Sequence, residues 1–167
     1  MSDIPAILAI DPGKSGAVCL LVGDIPILYD TPVMNDGKKN QYDLPEMYKM
    51  FREAVALYPE VTAIIEEVGP MPGQGVTSMY SMGYGSGLWH MLLVCLDIPF
   101  RRVRPQEWKK EFGLKGKDKG ASILRAKELF PKADIRLKKH DGRAEALLLA
   151  EFCRRRIKGV IPSPPLS

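Results

Sequence analysis

The sequence is poor in cysteine and has no long apolar run. Its 167 residues include only three cysteines, Cys19, Cys95 and Cys153, which lie far apart in apolar surroundings and form no CxxC pair. This pattern predicts reduced thiols in a cytosolic-type compartment and excludes a zinc or redox motif built on CxxC. No apolar run approaches the ~20 residues of a membrane-spanning helix, and the first residues show no signal-peptide pattern. We therefore expect no membrane partner.

A complete phosphate-binding loop and internal repeats are also missing. Gly13-Lys14-Ser15 resembles the end of a P-loop, but Leu8 occupies the position where that motif requires its first glycine. An ATPase of the actin or sugar-kinase type begins with a similar strand, Asp-x-Gly turn and hairpin. Such enzymes need two such domains around the nucleotide, and 167 residues cannot supply both. Nucleotide-dependent classes are therefore disfavoured.

The composition is that of one globular domain with an uneven charge distribution. Hydrophobic residues make up 46% and charged residues 26% of the chain. We predict a single domain over residues 1–158 and a proline-rich flexible tail over residues 159–167. Residues 101–140 contain 14 Lys and Arg against 5 Asp and Glu, a net +9, and the rest of the chain carries −5. A basic segment of this kind suits a polyanion such as nucleic acid, although a charge run is more often a solvated surface.

The pattern of apolar runs and turn residues predicts an α/β fold. A meander of three strands comes first, its hairpin marked by Gly23-Asp24, and helices then alternate with strands. Asp43 is expected to cap the first helix, with Pro45 in its first turn. This order predicts one mixed sheet flanked by helices. The predicted strands are 6–10, 16–22, 25–33, 61–67 and 99–103; the predicted helices are 43–57, 77–96, 105–112, 120–129 and 142–157; and 34–40 and 68–76 are predicted loops.

Four carboxylates at the edges of apolar runs are the main functional signal. Burial of a lone carboxylate is costly, and clustering adds like-charge repulsion, but a divalent cation with oxygen ligands removes both penalties. Glu66 and Glu67 are adjacent on a strand, so only one of them shares a face with Asp11, and the local pattern does not decide which. The four candidates, on three separate segments, are Asp11, Glu66, Asp141 and Glu145.

Simpler interpretations exist for most of these acids. Asp11 before Pro-Gly is also typical of a turn, and Asp141 is also suited to capping a helix N-terminus. Glu145 is harder to explain this way, because the apolar run Ala-Leu-Leu-Leu-Ala that must meet the sheet follows it. Lys119, with Lys115 and Lys117 before it, lies at a helix start, where a basic side chain opposes the helix dipole. That placement favours an anionic ligand.

Three motifs together resemble a known family. Ala-Ile-Asp-Pro-Gly after the first strand, Ile-Ile-Glu-Glu-Val after the fourth, and an acidic pair heading an Ala-Leu-Leu-Leu-Ala helix resemble RuvC-type Holliday-junction resolvases of the RNase H-like nuclease superfamily. The likeness covers residues 5–155 and includes the Arg-Pro-Gln-Glu-Trp-Lys-Lys segment. It implies a five-stranded mixed sheet and a homodimer, formed through the helix containing Gly83 and Gly87, that nicks four-way branched DNA symmetrically.

The same resemblance implies a metal-dependent active site. Mg²⁺, with Mn²⁺ as a substitute and two ions per site, would be held by Asp11, by Glu66 rather than Glu67, and by the pair Asp141 and Glu145. Lys119 would steady charge on the scissile phosphate and count with these acids as catalytic. The DNA-binding residues would be Lys109, Lys110, Lys115, Lys117 and Lys119.

Two departures from the family pattern are visible. The final acids, Asp141 and Glu145, are four residues apart, whereas the family commonly spaces them three apart. Gly69 follows the catalytic glutamate at a position where some members carry an aromatic side chain that wedges into the junction, and Tyr80 and Met71 are the candidates to replace it. Cleavage preference is not predicted.

Other functions of the same fold remain as alternatives. One is a nuclease acting on structured RNA, of the ribosomal-RNA-processing type, and another is a non-catalytic junction-binding protein. The expected compartment is the cytoplasm, including that of a host infected by a phage, with an organelle as the alternative.

Overall fold

The computed structural model describes residues 5–136 and 138–157. A short 3₁₀ helix at Lys138–His140 precedes the last helix. The strands are β1 (Ala6–Asp11), β2 (Ala17–Val22), β3 (Ile25–Asp30), β4 (Val33–Asn35), β5 (Asn40–Tyr42), β6 (Thr62–Glu66) and β7 (Phe100–Val103), and the helices are α1 (Leu44–Leu57), α2 (Val76–Cys95), α3 (Pro105–Glu111), α4 (Lys119–Leu129) and α5 (Asp141–Ile157).

The main sheet has five strands in the order β3-β2-β1-β6-β7. The first three form an antiparallel meander, and β6 and β7 run parallel to β1. Asp43 caps α1 by accepting a hydrogen bond from the Glu46 backbone N–H at 3.2 Å, as expected from the sequence. The predicted α/β fold with a mixed five-stranded sheet is confirmed.

Helices cover both faces of this sheet. Alternate residues of a strand point to opposite faces, so Ile7 and Ala9 of β1 contact the layer that contains α3, α4 and α5. Leu8 and Ile10 contact the layer that contains α1 and α2. On β6, Ile64 points to the α5 layer and its neighbour Ile65 to the opposite one. This alternation decides which acid at each strand end faces α5.

Two boundaries differ from the sequence prediction. Strand β3 ends at Asp30 instead of Val33, and the segment 34–40, predicted to be a polar loop, belongs to the separate hairpin β4–β5. The Asp36 carboxylate stabilises the hairpin turn by accepting hydrogen bonds from the backbone N–H groups of Lys38 and Lys39, both at 2.9 Å. The predicted tail 159–167 lies outside the described residues.

Helix α2 packs closely through a glycine that the sequence prediction did not single out. A Cβ on Gly85 would overlap the Tyr42 phenol, whereas a Cβ on Gly83 or Gly87 would meet no atom within 4 Å. Gly83 and Gly87 therefore make no such close approach to another part of the described chain. No helix in the described part of the chain has the length and apolar character needed to cross a bilayer.

Candidate active site

Asp11 and Glu66 lie side by side at one edge of the sheet. Strands β1 and β6 are parallel neighbours paired through Ile10 and Ile65, so the residues that follow the pair end both strands together. Both acids lie on the face that packs against α5, because they continue the alternation of Ala9 and Ile64. Glu67 is exposed and pairs with Arg104 at 3.5 Å. The structure thus places Glu66, and not Glu67, on the face of Asp11.

The start of α5 reaches this edge because two glycines permit a close approach. A Cβ on Gly142 would lie 2.7 Å from the Ser15 carbonyl oxygen and 3.0 Å from the Gly16 carbonyl carbon. Gly16 itself has no room for a Cβ beside the Asp11 carbonyl. The first turn of α5 therefore rests directly on the β1–β2 turn. This contact brings Asp141 and Glu145 to the side of the sheet where Asp11 lies.

Each acid of α5 is paired with a lysine from another helix. Lys119, the first residue of α4, places its Nζ 2.6 Å from Asp141 Oδ2. Lys109 of α3 places its Nζ 3.2 Å from Glu145 Oε1. The buried Ser122 hydroxyl also donates to Glu145 at 3.4 Å. Two lysines that the sequence marked as candidates thus contact the candidate acids directly.

Glu66 has a neutral partner. The Trp108 indole N–H of α3 donates to Glu66 Oε2 at 2.6 Å, and the Trp108 side chain is fully buried. A buried indole in a fixed position holds the carboxylate in one orientation. The Lys109 Nζ lies 5.1 Å from the centre of the Trp108 ring, within cation–π range. Helix α3 therefore orients one acid and partly neutralises another.

Burial and neighbouring negative charge together determine the electrostatics of the site. Burial, followed by the charges of Glu66, Glu145 and Asp141, raises the pKa of Asp11 well above its usual value, and Lys109 opposes this rise. Burial also raises the pKa of Glu66, although the hydrogen bond from Trp108 works against it. The folded protein thus holds carboxylates that resist ionisation.

This crowding fits a hard divalent cation. The donor set contains only carboxylate oxygens at its centre, which is the ligand type of Mg²⁺ and Mn²⁺. A cation there would lower the pKa of Asp11 and Glu66 by favouring their charged forms. Among the described residues, no three Asp, Glu, His or Cys side chains already surround one point closely enough to bind an ion. Two of the acids instead contact lysines, Asp141 at 2.6 Å and Glu145 at 3.2 Å.

The other predicted DNA-binding lysines lie at the surface. Lys110 is on α3, and Lys115 and Lys117 lie in the turn that leads into α4; all three are exposed. None of them is among the lysines that the structure places against the acids. They lie on α3 or between α3 and α4, the two helices that carry Lys109 and Lys119.

Sequence reasoning did not identify Trp108 and Ser122 as parts of the site. Each is a long-range partner, 42 residues from Glu66 and 23 residues from Glu145, respectively. The only local signal was for Trp108, which lies in the Arg-Pro-Gln-Glu-Trp-Lys-Lys segment. Ser122 carried no signal, because a serine in the first turn of a helix is common.

The order of the strands and their parallel and antiparallel pairing define an RNase H-like fold of the RuvC type. The candidate acids lie at the ends of β1 and β6 and at the start of α5 in this fold. The solved structure of Thermus thermophilus RuvC in complex with a Holliday junction substrate superposes with a TM-score of 0.64 at 15% identity, covering 96% of this chain and 99% of that one. A second structure of Thermus thermophilus RuvC gives a TM-score of 0.61 at 15% identity, covering 92% and 95%. At 15% sequence identity, this structural similarity shows that the fold is shared.

A sequence relative supports the same resemblance. The chain is 39% identical over 102 residues to the protein named Holliday junction resolvase MOC1, chloroplastic, of Chlamydomonas reinhardtii. The match includes 59% of this chain but only 11% of that protein's length. No protein-family profile matches the chain. The resemblance to RuvC-type resolvases inferred from the three motifs is confirmed by these two kinds of similarity.

Proposed function

We propose that this protein is a metal-dependent endonuclease that resolves four-way branched DNA by nicking phosphodiester bonds. The observation that carries the proposal is the gathering of Asp11, Glu66, Asp141 and Glu145 at one sheet edge, with Lys109 and Lys119 in direct contact. The Holliday junction substrate bound in the Thermus thermophilus RuvC complex and the name of the algal relative support the choice of substrate.

Asp11 and Glu66 would hold Mg²⁺ or Mn²⁺, with Glu145 and Asp141 completing the set for two ions. Two such ions, when bound, supply an activated water and a positive charge beside the leaving oxygen. Asp11, which the other three acids surround, would be shared between the ions. The Trp108 N–H would keep Glu66 in a single orientation throughout.

The two lysines would have a double role. In the metal-free protein their ammonium groups balance part of the acid charge, at 3.2 Å for Lys109 and 2.6 Å for Lys119. With Asp141 and Glu145 satisfied by other positive charge, both ammonium groups would be free to bind the scissile phosphate. Lys119 is mostly exposed, at 76% of its side chain, so it can reach a phosphate oxygen without unfolding α4. There it would stabilise the negative charge that develops during cleavage.

The exposed lysines extend this positive charge along the DNA. Lys110, Lys115 and Lys117 are exposed on or between the helices that bear Lys109 and Lys119. Side chains of this kind bind phosphates irrespective of sequence and make affinity fall steeply with salt. They would position a duplex arm so that one strand passes over the acids.

A homodimer would supply two such sites for two strands. The outer stripe of α2 carries Tyr80, Tyr84 and Met91, which are 73%, 48% and 57% exposed. Gly83 and Gly87 lie on the same stripe with open space above them, which permits a close approach by a second helix. This stripe would form the dimer interface.

The cellular compartment also stays a prediction. The cytoplasm and an organelle are the two choices, and the name of the Chlamydomonas reinhardtii relative matches the organelle.

The direct test is to incubate the purified protein with a synthetic four-way junction, with Mg²⁺ or with a chelator, and to map nicks on all four arms. We expect paired nicks in opposed strands only with the metal. Linear duplex and structured RNA serve as comparison substrates. Preferential cutting of RNA would favour the ribosomal-RNA-processing alternative, and junction binding without nicks would favour a non-catalytic binder.

Adjacent glutamates provide a matched pair of variants for this assay. Glu66→Gln removes a charge on the face of Asp11 and should abolish nicking, whereas Glu67→Gln removes one on the opposite face and should leave the nicking rate within about threefold. Equal losses in the two variants would contradict the assigned site.

A further inference from the structure

Arg143 lies between the two acids of α5 but on a different side of the helix. It follows Asp141 by two residues and precedes Glu145 by two, and residues two apart on a helix do not face each other. Its side chain is only 17% exposed, whereas the side chains of its partners Asp30 and Asp134 are 64% and 60% exposed. Arg143 has no role in the proposed chemistry.

The Arg143 guanidinium joins α5 to two other segments. It binds Asp30 at the end of β3 in a two-pronged manner, with Nε to Oδ1 at 2.7 Å and NH2 to Oδ2 at 2.8 Å. Its remaining nitrogen donates to Asp134 Oδ2 at 2.8 Å in the loop before the 3₁₀ helix. Bidentate arginine–carboxylate pairs fix direction as well as distance. The first turn of α5 is therefore fixed relative to the end of β3.

Asp30 connects in turn to the residues that support Asp11. It pairs across the sheet with Ala17, and the next backbone N–H, of Thr31, donates to the Gly16 carbonyl at 3.1 Å. Gly16 lies directly beneath Gly142 and against the Asp11 carbonyl. The contacts thus form a closed circuit from α5 through Asp30 to the β1–β2 turn and back to α5.

The geometry points to Arg143 as a positioning residue that sets the distance of Asp141 and Glu145 from Asp11, and so the affinity of the site for a divalent cation. Gly142 stops the helix from moving closer to the turn, and Arg143 stops it from moving away. Metal sites tolerate little displacement of a ligand, and loss of a supporting contact commonly lowers affinity about 10–100-fold. This inference depends on the proposed metal site.

The same helix provides a matched control. Arg154, eleven residues further along α5, donates to the Gly23 carbonyl at 2.9 Å and pairs with Asp24, at the turn that begins β3. It therefore tethers α5 to the same hairpin as Arg143 does, but about three helical turns away from the acids. If Arg143 served only to hold the helix on the sheet, the two arginines would have equivalent effects.

The test is calorimetric titration of Mn²⁺ into the wild type, Arg143→Gln, Arg143→Lys and Arg154→Gln, with thermal unfolding in chelator measured alongside. We expect Arg143→Gln to weaken Mn²⁺ binding about 10–100-fold, Arg143→Lys to weaken it less, and Arg154→Gln to leave it within about twofold. Both glutamine variants should lower Tm. Junction binding in chelator should be unchanged in Arg143→Gln, because its guanidinium is already paired with the carboxylates of Asp30 and Asp134.

Asp30→Asn tests the same contact from the other side if Arg143→Gln does not fold. It removes one carboxylate of the circuit while Asp134 still holds the arginine, so we expect a smaller loss of Mn²⁺ affinity. Wild-type Mn²⁺ affinity in Arg143→Gln or Asp30→Asn, or equal losses in Arg143→Gln and Arg154→Gln, would overturn the inference. Failure of the wild type to bind Mn²⁺ or to nick a junction would instead refute the proposed function.

Discussion

The carboxylates at the two ends of α5 have contrasting electrostatic surroundings. At the C-terminal end, Glu151 is only 6% exposed but has two cationic partners, with Arg154 Nε at 2.7 Å from Oε2 and Arg155 Nε at 2.9 Å from Oε1. At the N-terminal end, Asp141 and Glu145 converge on Asp11 and Glu66, and two lysines serve four acids. The first arrangement balances its charge, and the second carries an excess of negative charge.

The difference shows that the fold does not lack the means to neutralise a buried acid. Arginines that pair bidentately or from two sides are available on the same helix, and the far end uses them. At the sheet edge, burial and then neighbouring negative charge raise the pKa of Asp11 and Glu66, a cost to stability at neutral pH. Strongly perturbed carboxylates held together in this way are typical of functional sites. Variants at the two ends of α5 should therefore differ in both the size and the sign of their effects on stability.

The largest effect is expected from Asp11→Asn, which removes the central charge of the crowded end. Nicking of a four-way junction should become undetectable, because the amide cannot supply the shared anionic ligand. Binding of the same junction in chelator should persist, since the phosphate-binding lysines are intact. Strand-nicking and gel-shift assays measure the two properties. Near wild-type nicking in Asp11→Asn would contradict the assignment.

The same variant should also be more stable than the wild type without metal. Because the folded-state pKa of Asp11 is raised, the folded protein binds more protons than the unfolded chain, and its stability falls as pH rises from the usual Asp value toward the raised one. Asp11→Asn removes this loss, so its Tm in chelator at pH 7 should exceed that of the wild type by about 2–4 °C for each kcal/mol relieved. A Tm of Asp11→Asn in chelator at pH 7 that is no higher than the wild-type Tm would contradict the raised pKa of Asp11.

The next effect is expected from Lys119→Ala. Loss of a group that stabilises charge in the transition state should reduce the nicking rate about 10²–10³-fold. The affinity for Mn²⁺ should rise at the same time, because Asp141 loses the ammonium that competes with the metal at 2.6 Å. Single-turnover nicking and calorimetric titration measure these changes. Lys127→Ala, which removes an exposed charge in the last turn of the same helix, is the control.

Glu151→Gln probes the balanced end and should have the opposite sign from Asp11→Asn. It leaves Arg154 and Arg155 without their shared carboxylate, although Arg154 keeps Asp24. Removing one partner of a largely buried pair should lower the free energy of unfolding by about 2–3 kcal/mol. Chemical denaturation measures this loss, while nicking by the folded protein should stay at the wild-type rate. Increased stability in Glu151→Gln would contradict the proposed difference in charge balance between the two ends of α5.

The smallest effect is expected from Trp108→Phe, which keeps an aromatic ring but removes the N–H that binds Glu66 at 2.6 Å. This hydrogen bond lowers the pKa of Glu66, so its loss raises that pKa further. The acidic limb of the nicking rate should then move to higher pH. An unchanged pH profile would show that Trp108 only fills space. Trp89→Phe, which changes a buried indole on the opposite layer, controls for lost volume.

Much of the fold was predictable because its buried elements have strong patterns. Strands β1 and β6 are short apolar runs ended by acids or Gly-Pro, and α1 has both its cap and its proline in place. Hairpin β4–β5 was not predicted, because its strands have three residues each and mostly exposed side chains, which give no alternation. Its turn is stabilised by hydrogen bonds that the Asp36 carboxylate accepts, which composition does not reveal.

The site was predictable only as a set of separate acids. The choice between Glu66 and Glu67 depends on which face of β6 packs against α5. Because β6 is buried on both faces, its sequence has no pattern that distinguishes one face from the other. The contacts of Trp108, Ser122 and Arg143 join residues far apart in the sequence. Such pairs arise from the packing of α3, α4 and α5 on the sheet, which no local pattern specifies.

If the excess acid charge at the N-terminal end of α5 exists to bind divalent cations, anomalous diffraction from crystals soaked in Mn²⁺ should reveal the bound ions. We predict density beside Asp11 and Glu66, with the Lys109 and Lys119 ammonium groups withdrawn from Glu145 and Asp141. Absence of density, with both lysine–carboxylate pairs still closed at saturating Mn²⁺, would contradict a metal-binding role for these acids.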